Sequence, residues 1–152
     1  MPQLLGEKYY QNVTHIKTNS HFCMAKLTQN ELLAIFNEVK KLAKPYEKGA
    51  IKARIDIEGK YDLWSEKEMM ALGKKRTEMA FTAIILQSSY VGFYFMPVYC
   101  CDGVKDKLGA ELMKTLKGKA CFHIKNTDPL IMKQIKEAMK LGYEGYKKLS
   151  WV

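Results

Sequence analysis

Hydrophobic and polar positions alternate with two clear periods along this chain. Leu32, Ile35, Phe36, Val39, Leu42 and Ala43 recur every three or four residues, which places them on one face of a helix. Thr28 and Glu31 stand just before this run in a Thr-x-x-Glu capping box. Each side chain of such a box satisfies a backbone N–H at the helix start. Pro45 and Gly49 close the element. Ile51, Ala53, Ile55 and Ile57 then alternate with Lys52, Arg54, Asp56 and Glu58. That period of two predicts a half-buried strand, turned by Glu58-Gly59-Lys60 into a second strand over Tyr61–Ser65. The charged stretch Glu66–Arg76 reads as a loop or short helical connection.

The densest apolar stretch is Met79–Gln87 and Tyr90–Val98, with apolar residues on both parities. This pattern predicts strands that are buried on both faces or sit at the sheet centre, joined at Ser88-Ser89 in a tight hairpin. Val104, Leu108, Leu112 and Leu116 recur every four residues and predict a short helix ended by Gly118. Lys119–Lys125 alternates again, with Ala120, Phe122 and Ile124 on one face and Cys121 and His123 on the other. Asp128 followed by Pro129 opens a last helix. Its apolar face carries Ile131, Ile135, Ala138, Met139, Gly142 and Tyr146; Lys133, Lys136, Lys140 and Lys147 form the opposite one.

These elements make an α+β fold in two layers. An antiparallel sheet of about five strands packs against two long helices and one short one. Residues 1–27 show no sustained period and read as an N-terminal arm that packs on the domain or on a neighbouring chain; residues 28–152 form a single domain. A chain of 152 residues with 47% hydrophobic content is long enough to bury one core. The start lacks the apolar segment of a secretory signal, and the longest apolar runs reach strand length only. The four cysteines, Cys23, Cys100, Cys101 and Cys121, contain no Cys-x-x-Cys pair. Together these features point to a reduced, cytoplasmic protein with no membrane partner.

The balance of 25 Lys and Arg against 16 Asp and Glu, +9 overall, favours anionic surfaces without identifying one. The lysine ridge of the last helix reads as a solvated face. Nucleic acid is a minor reading, because no aromatic-basic strand motif of the RNA-binding class accompanies it. His15, His21 and Cys23 match no common zinc spacing and predict no metal site.

Hydrolase, kinase and dinucleotide motifs are absent, and no cofactor is implied. Cys121 and His123 project from the same strand face, where a thiol beside an imidazole suits a nucleophile and base or half a metal site. Without a further acid or ligand, the simpler reading is a small apolar cysteine and a half-buried histidine. If both long helices cover one sheet face, the face with Cys121 and His123 is uncovered, and the strand register decides whether Tyr90, Tyr94 and Met96 join them there. An exposed aromatic sheet face marks a partner, a dimer mate or a small ligand. The first reading is therefore a non-enzymatic binding or interaction domain using Tyr94, Cys121 and His123. Metal trafficking and an unrecognised enzyme built on Cys121 and His123 are the alternatives.

Three segments carry a resemblance. Tyr90-Val91-Gly92-Phe93-Tyr94-Phe95-Met96-Pro97, Leu116-Lys117-Gly118-Lys119-Ala120-Cys121-Phe122-His123-Ile124-Lys125 and the closing Tyr146…Trp151-Val152 resemble the YdhG-like family, a bacterial domain group of unknown function. The resemblance implies a two-layer α+β fold. It covers residues 79–152 best and does not extend to 1–27. A relative in the wider group is a frataxin-like iron chaperone, which implies iron delivery. Frataxin-type sites are acidic, whereas the first helix here is read as holding only Glu31, Glu38 and Glu47 among several lysines. Hard iron requires oxygen ligands, so no iron ligand is assigned to any residue.

Overall fold

A computed structural model of the chain describes residues 25–152. The proposed arm (1–27), with His15, His21 and Cys23, lies outside the described residues except for its last three positions. Of these, Leu27 packs against the core.

The fold is α+β. Helix α1 spans Gln29–Ala43 and begins with the reciprocal Thr28–Glu31 capping box. Strands β1 (Ile51–Ile57), β2 (Lys60–Ser65), β5 (Met79–Leu86), β6 (Val91–Phe95), β7 (Leu116–Lys117) and β8 (Cys121–Ile124) form one six-stranded antiparallel sheet. Its order is β1-β2-β5-β6-β8-β7. Helix α4, Pro129–Lys148, is capped by the Asp128 side chain, which accepts from the N–H groups of Leu130 and Ile131. Helices α1 and α4 pack side by side on one sheet face.

The core lies between these layers. Helix α1 contributes Leu32, Ile35, Phe36 and Val39, and α4 contributes Ile135, Ala138, Met139 and Tyr146. They meet Leu63, Phe81, Phe93, Phe95 and Phe122 from the sheet. Phe81 packs edge-on to both Phe95 and Tyr146, and Tyr146 packs edge-on to Trp151. Burying such aromatic and aliphatic chains stabilises the fold by about 1.5–3 kcal/mol each. The buried hydroxyls are used: Thr82 donates to the Tyr94 carbonyl at 2.8 Å, and Ser65 to the Trp151 carbonyl.

Four local readings change. Glu66–Arg76 is not a loop or helix. It contains a small hairpin, β3 (Met69–Ala71) and β4 (Lys74–Arg76), with Leu72 and Gly73 both at positive φ. That is the backbone a two-residue hairpin turn demands. The apolar run Tyr90–Val98 leaves the sheet after Phe95, because Pro97 starts a four-residue helix, α2 (Pro97–Cys100). The run Val104–Leu116 is not one helix: a 3₁₀ turn at Lys105–Lys107 precedes α3 (Ala110–Met113), and Leu116 enters β7. Gly109, extended at φ −62 and ψ 143, separates the two turns. Finally, of the two readings for β5 and β6 the central place in the sheet holds and burial on both faces does not: they are buried on their helix-facing side but half-buried on the other, where Ala83, Ile85 and Tyr94 lie.

Candidate functional site

The half-buried side chains of β5 and β6 belong to the outer sheet face, opposite the helices. Strand register assembles this face in rows. Asp62, Ala83, Tyr94, Cys121 and Lys117 are successive cross-strand partners on β2, β5, β6, β8 and β7. The next row runs Lys60, Ile85, Gly92 and His123. The period of two sends Phe93, Phe122 and Ile124 inward, and the same period sends Tyr94, Cys121 and His123 outward.

The three residues singled out from the sequence therefore share one face. Tyr94 pairs directly with Cys121, while His123 pairs with Gly92. The lack of a side chain at Gly92 has a visible use. A Cβ there would stand 2.8 Å from the Tyr94 ring, so glycine lets that ring lie flat against the sheet. Tyr90 stacks on His123, with ring centroids 3.7 Å apart and planes 11° from parallel.

The electrostatics of this corner are those of neutral groups. Burial pushes the Cys121 thiol above its ordinary range, and the nearby Tyr94 hydroxyl pulls it only part of the way back. Burial, with Cys121 beside it, likewise raises the Tyr94 phenol. Burial lowers the His123 imidazole, and the positive charges of Lys117 and Lys125 lower it further. A raised thiol is a poor nucleophile at neutral pH. The neighbours seen here thus do not activate Cys121 as a base-assisted thiolate. Among the described residues, no group of three His, Cys, Asp or Glu side chains converges to hold a metal ion.

A depression in the outer face lies one strand away from this corner. It encloses about 150 Å³, floored by Ala80 and Ala83 and bordered by Trp64, Tyr94 and Met96, with Asp62 at its margin. Small residues on β5 create it, because a neighbouring aromatic on β2 and another on β6 rise above two alanines. Trp64 is held in place by the Arg54 guanidinium, 4.4 Å from its ring centroid. Arg54 is in turn paired with Glu78. Asp62 accepts the Ile55 N–H at 3.2 Å through one oxygen, Oδ1.

Tyr94 is thus common to the expected site and to the depression, whereas Cys121 and His123 flank it. Met96, expected with Tyr94 on this face, borders the depression as well, whereas Trp64 and the two alanines carry no such expectation from the sequence. The signal for Trp64 was available: it alternates with Tyr61, Leu63 and Ser65 in a strand whose inner parity is fully apolar or small. Ala80 and Ala83 carried no comparable signal, since a depression is defined by the neighbours that stand over it.

No protein-family model, curated protein or solved structure matches the chain.

Proposed function

We propose that this protein is a non-enzymatic interaction domain that receives an apolar side chain of a partner polypeptide on its outer sheet face. The observation that carries this reading is the depression between Trp64 and Tyr94, on the face that neither α1 nor α4 covers. A volume of 150 Å³ is well below the roughly 300–1,000 Å³ typical of small-molecule sites. It suits one inserted side chain instead. Partner residues around such an anchor then lie on Ile85, Met96, Tyr90 and His123. Tyr and Trp at the rim fit the aromatic enrichment of interaction hot spots.

Asp62 at the margin disfavours nucleic acid, because its carboxylate repels phosphate near the two aromatic rings available for stacking. The lysines of α4 add little on this point. They are interspersed with Glu137 and Glu144, which pair with Lys133 and Lys147. The resemblance to YdhG-like domains belongs to this reading and rests on the quoted motifs. Four of their residues, Tyr94, Phe95, Met96 and Ala120, line the depression. A cytoplasmic location is supported by the free thiols of Cys100, Cys101 and Cys121. No described helix is long and apolar enough to cross a membrane.

The test is photo-crosslinking in cells with a photoreactive residue at position 83. A control places it at position 136 on the solvent side of α4. A discrete adduct from position 83 alone is expected, and an adduct of twice the chain mass makes the partner a second copy. Adducts only from position 136, or identical adducts from both, reject the proposal.

A further inference from the structure

Asp62 differs from its acidic neighbours on the first strands. Asp56 is paired with Lys40 and Lys44, Glu47 with Lys44, and Glu78 with Arg54. Asp62 forms no ion pair among the described residues, in a chain with 25 Lys and Arg against 16 Asp and Glu. It is half-buried, and it is the one charged side chain lining the depression between Trp64 and Tyr94. Its Oδ1 accepts the Ile55 N–H at 3.2 Å, which leaves Oδ2 unused by the described residues. A neutral partner group pressed into the depression would desolvate this carboxylate without replacing the lost water.

We propose, on the reading of this depression as the anchor site for a partner polypeptide, that the apolar group it receives is the methylene stem of a lysine, whose ammonium meets Asp62 at the margin. Lysine buries its stem on apolar surface and keeps its charged head at the edge. The alanine floor and the marginal carboxylate provide those two environments in that order. The rings of Trp64 and Tyr94 add attraction for the cation through their faces. Trp64 already makes one such contact, with the Arg54 guanidinium at 4.4 Å. Arg54 comes from β1, whereas the depression lies over β5, on the other side of β2. The Arg54 charge is moreover matched by Glu78. Arginine fits the site less well than lysine. Its planar fork pairs best with two free carboxylate oxygens, and Oδ1 is already engaged. An ammonium, as a point charge, needs only Oδ2.

The probes are Nα-acetyl-lysine methylamide, its arginine counterpart and the uncharged Nα-acetyl-norleucine methylamide. Each is titrated into the full chain at low salt and followed by the NMR resonances of the Ala83 methyl and the Trp64 indole. Saturable shifts of both resonances are expected, with lysine binding about tenfold more tightly than norleucine. Asp62→Asn keeps an Oδ1 acceptor for the Ile55 N–H and so preserves the strand. It should lower lysine binding to the norleucine level and leave norleucine binding unchanged. Lysine binding no tighter than norleucine or arginine, or a lysine preference that survives Asp62→Asn, overturns the assignment of lysine. Absence of any shift with all three probes overturns it as well. Crosslinking from position 83 then judges the anchor site separately: a discrete adduct there, with norleucine favoured over lysine, keeps the anchor site and rejects the lysine.

Discussion

Gly142→Ala tests the seating of α4 on the inner sheet face, which leaves the outer face free. Gly142 is buried in the interior of α4. A Cβ at this position would meet Phe95 Cζ at 2.4 Å, Pro97 Cγ at 2.7 Å and Pro97 Cβ at 2.9 Å. Replacing an interior helical glycine with alanine gains about 1 kcal/mol of helix propensity. Overpacking a well-filled core costs about 1–3 kcal/mol. Three contacts below 3.0 Å, two of them with a rigid proline ring, place the cost at the upper end. The net expectation is a loss of about 1–2 kcal/mol, a fall in Tm of roughly 3–6 °C for a domain of this size. Gly145→Ala is the internal control, three residues along the same helix. Its Cβ meets Cys101 at 3.1 and 3.2 Å, a compression that a few tenths of an ångström relieves. Propensity then nearly cancels the clash, and stability should change by less than about 0.5 kcal/mol. Urea unfolding of both variants, with m-values checked for constancy, measures the difference. A Gly142→Ala protein that is more stable than the parent, or indistinguishable from Gly145→Ala, would refute this packing of α4 against β6 and α2.

Thr28→Ala removes one half of the α1 capping box and should cost about 1 kcal/mol by urea unfolding. Leu72 holds φ at +52 in the β3–β4 turn while half exposed. Leu72→Asn should therefore stabilise the protein, by up to about 1 kcal/mol, because asparagine tolerates the left-handed region better. His123 has its imidazole lowered in the fold by burial and by Lys117 and Lys125. The unfolded chain then binds more protons below the ordinary value of about 6.5, so this contribution to stability is present above that pH and is lost as pH falls through the folded value. An NMR titration should place His123 below the ordinary value, and Lys125→Ala should move it upward.

Much of the fold is legible in the chain because its main elements obey local rules. Thr28-x-x-Glu31 and Asp128-Pro129 mark helix starts that the backbone cannot easily ignore. The alternation around Phe122 fixes which side of β8 faces the helices, and hence where Cys121 and His123 lie. Leucines at four-residue intervals misled at Val104–Leu116. Gly109 and the two-residue pairing of β7 with β8 outweigh a periodicity that has little burial to reinforce it. The β3–β4 hairpin was obscured by an unfavourable turn residue, since Leu72 occupies a position where Asn or Gly is the usual signal. The apolar density of Met79–Val98 fits burial on both faces or a place at the sheet centre, and the second holds. One face suffices to explain the aromatic residues there, and the outer alanines make a depression instead of a second core.

The central claim is that the outer sheet face is open in the whole chain and available to a partner. Hydroxyl-radical footprinting of the full-length protein tests it most directly, because one tryptophan lies on each side of the sheet. Trp64 borders the outer depression, whereas Trp151 is 5% exposed beside Tyr146. Rapid oxidation of Trp64 and Met96, with Trp151 protected, is the expected result. Protection of Trp64 and Met96 equal to that of Trp151 in the isolated monomer would show that the chain covers this face itself, and would contradict the account.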